Sequence, residues 1–260
     1  MQKNDNASTE AEKIEAANLT CIDTETNSLD PMGAVLVGIS LAVKPGEACY
    51  IPLAHTTMDH QLDKQSTLEK LKPWLENPQA QKVGQNLKYD MHVFANEGIL
   101  LQGVAHDTLL QSYVLESHRS HDMDSLAERH LQHRTISYDD VTGKGAARLP
   151  FAQVPIDRAS VYAAEDADVT LQLKQTFEPL LDEKEVRRVF KEVENPLVPV
   201  LLEMEFEGVG LDVDFLRDYS KELERDIRQS EENIYRHAGV NFNIGSPKQL
   251  GEVLFEVMKI

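Results

Sequence analysis

Asp23 and Glu25 stand one residue apart in CIDTETNSLD, residues 21–30. The stretch has the look of a strand running into two acids. Side chains alternate along a strand with period two, so both carboxylates lie on one face and Thr24 points away. Adjacent carboxylates repel, and one of them holds a proton unless a cation or strong donors stand between them. The spacing points to a metal, with a solvated strand end as the plainer alternative.

Two further segments add acids. In VGQNLKYDMHVFANEGI a helix opening at Asn86 puts Asn86 and Asp90 on one face, with Leu87, Met91 and Phe94 on the apolar one. Alone, Asp90 could equally be a first-turn acid that favours the positive helix end. In RASVYAAEDADVTLQL, Tyr162 and Asp166 are four apart and project together, whereas Asp168 points elsewhere. Glu165 lies near the same face, so spacing leaves Glu165 and Asp166 competing. A set of hard carboxylate oxygens suits Mg2+ or Mn2+. The nine histidines show no metal spacing, and Cys21 and Cys49 sit in strand-like segments as buried thiols, not a zinc site or disulfide.

The elements that must position these groups alternate between strand and helix. Leu19–Thr26, Ala34–Val43 and Glu47–Leu53 are apolar, strand-like and separated by Pro31-Met-Gly33 and Lys44-Pro-Gly46, which predicts an antiparallel meander. A helix around Ser66–Glu76, a strand at Gln81–Gly84 and the helix from Asn86 signal α/β layering. Helices are also expected at Asp107–Ser117, Asp124–Gln132 and Ile156–Leu181, and a mobile loop at Val141–Phe151. Residues 1–17 read as a flexible or loosely helical leader. From Glu185 a helical pattern runs on, with Pro196 in a first turn and Gly208 at a helix stop, and it resumes over Asp214–Gly239. Ser246 and Pro247 look like the start of a helix that barely gets under way, so a fragment of a longer protein is expected.

The 260 residues are 41% hydrophobic, enough to fill a core. No apolar run reaches the roughly 18 residues of a membrane span, and the polar, acidic N-terminus is unlike a signal peptide, so a cytoplasmic location and no membrane partner are expected. With 44 acids against 26 Lys plus Arg the formal charge is -18, which argues against tight, purely electrostatic binding of a phosphate backbone. A site that grips a strand end through metals and stacking remains compatible with that charge.

The ordered set Asp23-x-Glu25, Asn86-x-x-x-Asp90 and Tyr162-x-x-x-Asp166 resembles the proofreading exonuclease superfamily with four acids and a tyrosine, a variant of the ribonuclease H-like fold. DTETNSLD, KVGQNLKYD, HDMDSLAE, YAAEDADVTLQL and PLVPVLLEME resemble the family A DNA polymerases of the bacterial DNA polymerase I type, from about Asn18 to the end. The resemblance implies a mixed sheet, three antiparallel strands plus parallel ones, flanked by helices and followed by a C-terminal helical segment. It implies a leader over 1–17, a 3'-5' exonuclease domain over 18–184, and the truncated helical start of a polymerase domain over 185–260, without palm or fingers and so without polymerase activity.

The same resemblance implies the chemistry. Two divalent cations would lie between the acids, with Asp23 bridging both, Glu25 and Asp166 completing the first, and Asp90 holding the second partly through water. It selects Asp166 over Glu165, and assigns Tyr162 to orienting the attacking water. Leu29 is implied as a wedge beside the terminal base, Phe151 as a stacking contact, and Gln85, Asn86, Tyr89 and Arg129 as polar contacts to a single-stranded DNA 3' end. The rest of the polymerase chain would be the other partner. A ribonuclease D-type RNA exonuclease shares the acidic motifs, and a catalytically silent polymerase scaffold is a third possibility.

Overall fold

The computed structural model describes residues 12–58 and 60–260, and these fall into two compact units that divide between Glu207 and Gly208. Of the expected leader, residues 1–11 lie outside the described residues. Residues 12–16 are helical, and Ile14 is buried in the main core.

Five strands form one sheet in the order β3-β2-β1-β4-β5. β1 (Leu19–Thr26), β2 (Leu36–Lys44) and β3 (Glu47–Pro52) make the antiparallel meander, while β4 (Gln81–Gly84) and β5 (Val104–Asp107) add in parallel beside β1. β5 has four residues and no alternating pattern, so the sequence offers no sign of it. The register aligns Asp23 with Ser40 and Ser40 with Tyr50, and sets Glu25 opposite Gly38.

β1 is central and both of its faces are covered. Cys21 packs with Ala42 and Val83 against Ala167 and Leu171 of a 28-residue helix, Ile156–Glu183. Ile22 packs on the other face with Ile39 and Leu41 against Leu71 and Trp74 of α1 (Lys64–Leu75) and Leu87 and Phe94 of α2 (Leu87–Asn96). The period-two alternation of β1 thus separates two helical layers. Helices α3 (Thr108–Glu116) and α4 (Met123–Leu131) pack Leu115, Leu126 and Ala127 on Val169, Leu173 and Phe177 of the long helix.

The segment expected as a loop, Val141–Phe151, is more structured than its composition suggests. α5 (Tyr138–Thr142) has a capping box from Ser137 and Asp140, and short 3-10 turns follow at Gly145–Ala147 and Phe151–Gln153. Val141 and Phe151 pin the segment into a small cluster with Val37, Val154 and Ala159. The long helix is therefore α6 in chain order. α7 (Asn195–Glu207) continues from a π-turn at Phe190–Glu194, so Pro196 lies within a continuing helix instead of opening one. Gly208, at φ 67°, ends it in a left-handed conformation that glycine adopts without strain. In the second unit, α8 (Val213–Ala238) is capped by Asp212, and Ser246 caps α9 (Pro247–Glu252).

Candidate metal centre

Asp23 and Glu25 leave β1 on the face covered by α6, and Asp166 comes down from α6 to meet them. One ligand oxygen from each lies within 4.8 Å of the others. Glu25 Oε1 and Asp166 Oδ1 are buried and have no hydrogen-bond partner, although their residues are only 7% and 6% exposed. Buried carboxylate oxygens without donors are costly, and a cation is the partner that would offset that cost for all three groups. The donor set therefore fits a hard divalent ion.

Asp90 approaches from the opposite layer. It is 2% exposed, on the first turn of α2, and accepts a 2.6 Å hydrogen bond from the hydroxyl of Thr24. Thr24 does point away from Asp23 and Glu25, as strand alternation requires, and in doing so it reaches the fourth acid. Asp90 remains close enough for Asp23 to act on it electrostatically.

The electrostatics of the centre follow from its enclosure. Burial pushes the Asp23 carboxyl up to about 7, against hydrogen bonds from Ser40 and the Thr24 backbone that pull it down. Glu25 is driven well above the ordinary carboxylate range by burial and then by Asp23, Asp166 and Asp90. Asp90 and Asp166 rise for the same two reasons, burial first and Asp23 second. Without cations the four acids therefore share protons.

The competition between Glu165 and Asp166 is resolved by the loop that precedes α5. Glu165 accepts from the Ile136 N–H at 2.6 Å and pairs with His133 at 2.9 Å, so it is held outside the acid cluster. Asp168 accepts from the Gly46 N–H at 2.7 Å and fixes the β2–β3 turn. Tyr162 stands one helical turn before Asp166 on α6, and burial followed by the charges of Asp166, Glu25 and Asp23 raises the phenol. Gly38, opposite Glu25, leaves room for the ring of Tyr50, whose hydroxyl oxygen would lie 2.1 Å from a Cβ placed there.

The residues implied as DNA contacts are distributed unevenly. Leu29 is 96% exposed on the β1–β2 loop, and Asn86 is exposed just before α2 instead of inside it. The loop carrying Leu29 is tied to α2, because Tyr89 donates to the Ser28 carbonyl and Asn96 to the Pro31 carbonyl. Gln85 donates to the His121 carbonyl at 2.8 Å and accepts from Thr108. Arg129 pairs with Glu116 at 3.0 Å and donates to the Ser120 carbonyl. As placed, Tyr89, Gln85 and Arg129 thus brace loops.

Phe151, implied as a stacking contact, is 1% exposed in the structure, which holds no DNA. It is a core residue whose ring centre lies 5.9 Å from that of Tyr162. The exposed aromatic is its neighbour Tyr138, 39% exposed, with ring centres 6.2 Å from Phe151 and 6.3 Å from Tyr162. Its place at a helix start gave the sequence no signal of function. Asp107, which ends β5, was equally silent: its buried carboxylate accepts from the N–H groups that open both α2 and α3.

A mixed five-stranded sheet, with acids at the end of its central strand and on helices from both faces, defines the ribonuclease H-like exonuclease fold. Residues 1–182 match the 3'-5' exonuclease family, and residues 213–260 match DNA polymerase family A. The chain belongs to the 3'-5' exonuclease domain family of the family A DNA polymerases, of the DNA polymerase I type. It is 49% identical over 250 residues to DNA polymerase I of Pseudomonas aeruginosa, covering 94% of this chain and 27% of that protein. It is 43% identical over 263 residues to DNA polymerase I of Rhizobium leguminosarum, covering 94% and 26%. The chain thus spans about a quarter of the length of these curated relatives. Among solved structures it resembles the POL domain of Pol1 from M. smegmatis in complex with DNA primer-template and dNTP, with a TM-score of 0.80, 24% identity, and 98% and 40% coverage. Brucella melitensis NrnC has a TM-score of 0.58 at 18% identity, with 74% and 87% coverage. Among the described residues no helix is long and apolar enough to cross a membrane.

Proposed function

We propose that this chain hydrolyses the 3'-terminal phosphodiester of single-stranded DNA with two divalent cations, releasing nucleoside monophosphates, as the proofreading module of a cytoplasmic DNA polymerase I in replication and repair. The observation that carries the reading is the convergence of Asp23, Glu25 and Asp166 from two layers, with two buried carboxylate oxygens lacking partners. Mg2+ or Mn2+ would be held by these acids and by Asp90; a structural neighbour, NrnC, has been solved with bound Mg2+. When bound, such a pair of ions stabilises the attacking and leaving oxygens of an in-line displacement.

The protein side chains then have separate tasks. Asp23 acts electrostatically on both Glu25 and Asp90, and would help to hold both ions. Tyr162, one turn before Asp166 on α6, orients the attacking water beside the acids. Leu29 wedges the terminal base, Asn86 offers a polar contact at the start of α2, and Phe151 is the stacking contact, with the exposed ring of Tyr138 beside it. Gln85, Tyr89 and Arg129 contact the last nucleotides beside the loops they brace. In domain terms, 18–184 is the exonuclease and 185–260 the helical start of the polymerase domain.

The test is a gel with 5'-labelled single-stranded DNA and RNA of equal sequence, with and without Mn2+. Stepwise shortening of DNA from the 3' end, abolished by chelator, supports the reading. Preferential shortening of RNA would favour a ribonuclease D-type activity, and inactivity on both would favour a scaffold.

A further inference from the structure

Asp107 is 2% exposed and carries out none of the chemistry above, yet its carboxylate accepts four backbone N–H groups. Oδ2 accepts from Leu87, the first residue of α2, at 2.8 Å. Oδ1 accepts from Asn86 at 3.1 Å and from Leu109 and Leu110 of α3 at 2.9 and 3.3 Å. One carboxylate thus satisfies the otherwise orphaned donors at two helix starts, where the helix dipoles also favour negative charge.

α2 depends on this because its own cap is deficient. Asn86 occupies the N-cap position in a left-handed conformation, φ 65° and ψ 46°, and its side chain makes no capping bond. Asp90 follows Leu87 by three residues, about 4.5 Å along the axis. Any displacement of the start of α2 therefore moves the Asp90 backbone, while the Thr24 hydroxyl holds only the end of its side chain.

We propose that Asp107 is a positioning residue: by clamping the first N–H groups of α2 it sets where Asp90 meets the metal centre. This inference rests on the two-cation reading given above. A carboxylate is needed because both oxygens must accept. An asparagine would keep one acceptor for α3 but turn an amide N–H toward the N–H groups of α2, and a serine could cap α3 without reaching α2.

The test is Mn2+ binding to the full chain, followed by calorimetry and by the electron paramagnetic resonance signal of free Mn2+. Wild type, Asp90→Ala, Asp107→Asn, Asp107→Ser and the double variant Asp90→Ala/Asp107→Asn are compared. The binding step that Asp90→Ala abolishes should weaken about tenfold or more in both Asp107 variants, the scale of an outer-shell defect. The step that survives in Asp90→Ala should keep its affinity, and the double variant should bind like Asp90→Ala alone. If Asp107→Asn does not fold, Asp107→Ser, which retains a good cap for α3, carries the comparison. Unchanged binding in the Asp107 variants, equal weakening of both steps, or a further loss in the double variant overturns the proposal alone. A wild-type chain that binds no Mn2+, or binding left intact by Asp23→Ala, ends the two-cation reading itself.

Discussion

Thr24 Oγ1 donates to Asp90 Oδ1 at 2.6 Å, so the residue between the paired acids of β1 secures the fourth acid on α2. Replacing Thr24 by Val keeps the volume and removes this bond. A hydrogen bond to a charged group contributes about 1.5 to 3 kcal/mol, or roughly 10- to 150-fold in rate. Single-turnover cleavage by Thr24→Val should fall within that range, and Thr24→Ser should recover most of it. A Val variant as fast as wild type would mean that Asp90 is held by its backbone alone.

Asp166 and Tyr162 share a face of α6 but not a task. Asp166→Ala removes a cation ligand, and its single-turnover rate should drop roughly 1000-fold, equivalent to about 4 kcal/mol. Tyr162→Phe keeps the ring against Phe151 and removes one hydroxyl, so about 10- to 150-fold is expected. A tyrosine variant as inactive as Asp166→Ala would give Tyr162 more than water placement, and full activity would make it a packing aromatic.

Much of the centre was legible because β1 and α6 obey simple periodicities. Asp23 and Glu25 share a strand face, and Tyr162 and Asp166 share a helix face, so spacing reports geometry directly. Glu165 stayed open because only tertiary contacts, with His133 and the Ile136 N–H, take it away from the cluster. β5 was not visible, since four residues in a parallel strand carry too little pattern. Asp107 escaped for a related reason: one cap is a local signal, but a second helix 20 residues earlier in the chain is not. Tyr138 was not singled out because a loop sequence does not reveal which aromatic faces water.

Phe151 and Tyr138 yield a direct comparison. Phe151→Ala empties a buried site among Val37, Val154 and Ala159 and should destabilise the fold by about 3 to 5 kcal/mol. Tyr138→Ala removes a part-exposed ring and should cost far less stability, while weakening single-stranded DNA binding by about 1 to 3 kcal/mol if a base stacks there. Denaturant unfolding and fluorescence anisotropy with labelled oligonucleotide, in the presence of Ca2+ to prevent cutting, separate the two. A Phe151 variant of wild-type stability with lost DNA affinity would place the stacking at Phe151 and not at Tyr138.

The last expectation follows from the protons that the acids share. Asp23 is raised to about 7, and Glu25, Asp90 and Asp166 stand well above the ordinary range, all chiefly through burial. A carboxyl whose pKa is higher in the folded state binds its proton more tightly there. The resulting stability is complete below the unfolded value near 4 and is lost as pH rises through the folded value. The metal-free protein should therefore show a falling Tm between about pH 6 and pH 8. Asp23→Asn, neutral throughout, should have a shallower slope in that window. Cations replace the protons, so Mn2+ at ~100 times its Kd should add about 2.7 kcal/mol to wild type. The gain in Tm should be larger at pH 8 than at pH 6, because ligands must be deprotonated to bind. Thermal unfolding at both pH values, with chelator or Mn2+, is the measurement. A Tm independent of pH, or an equal Mn2+ shift in wild type and Asp23→Asn, would place the ions and the protons somewhere other than this centre.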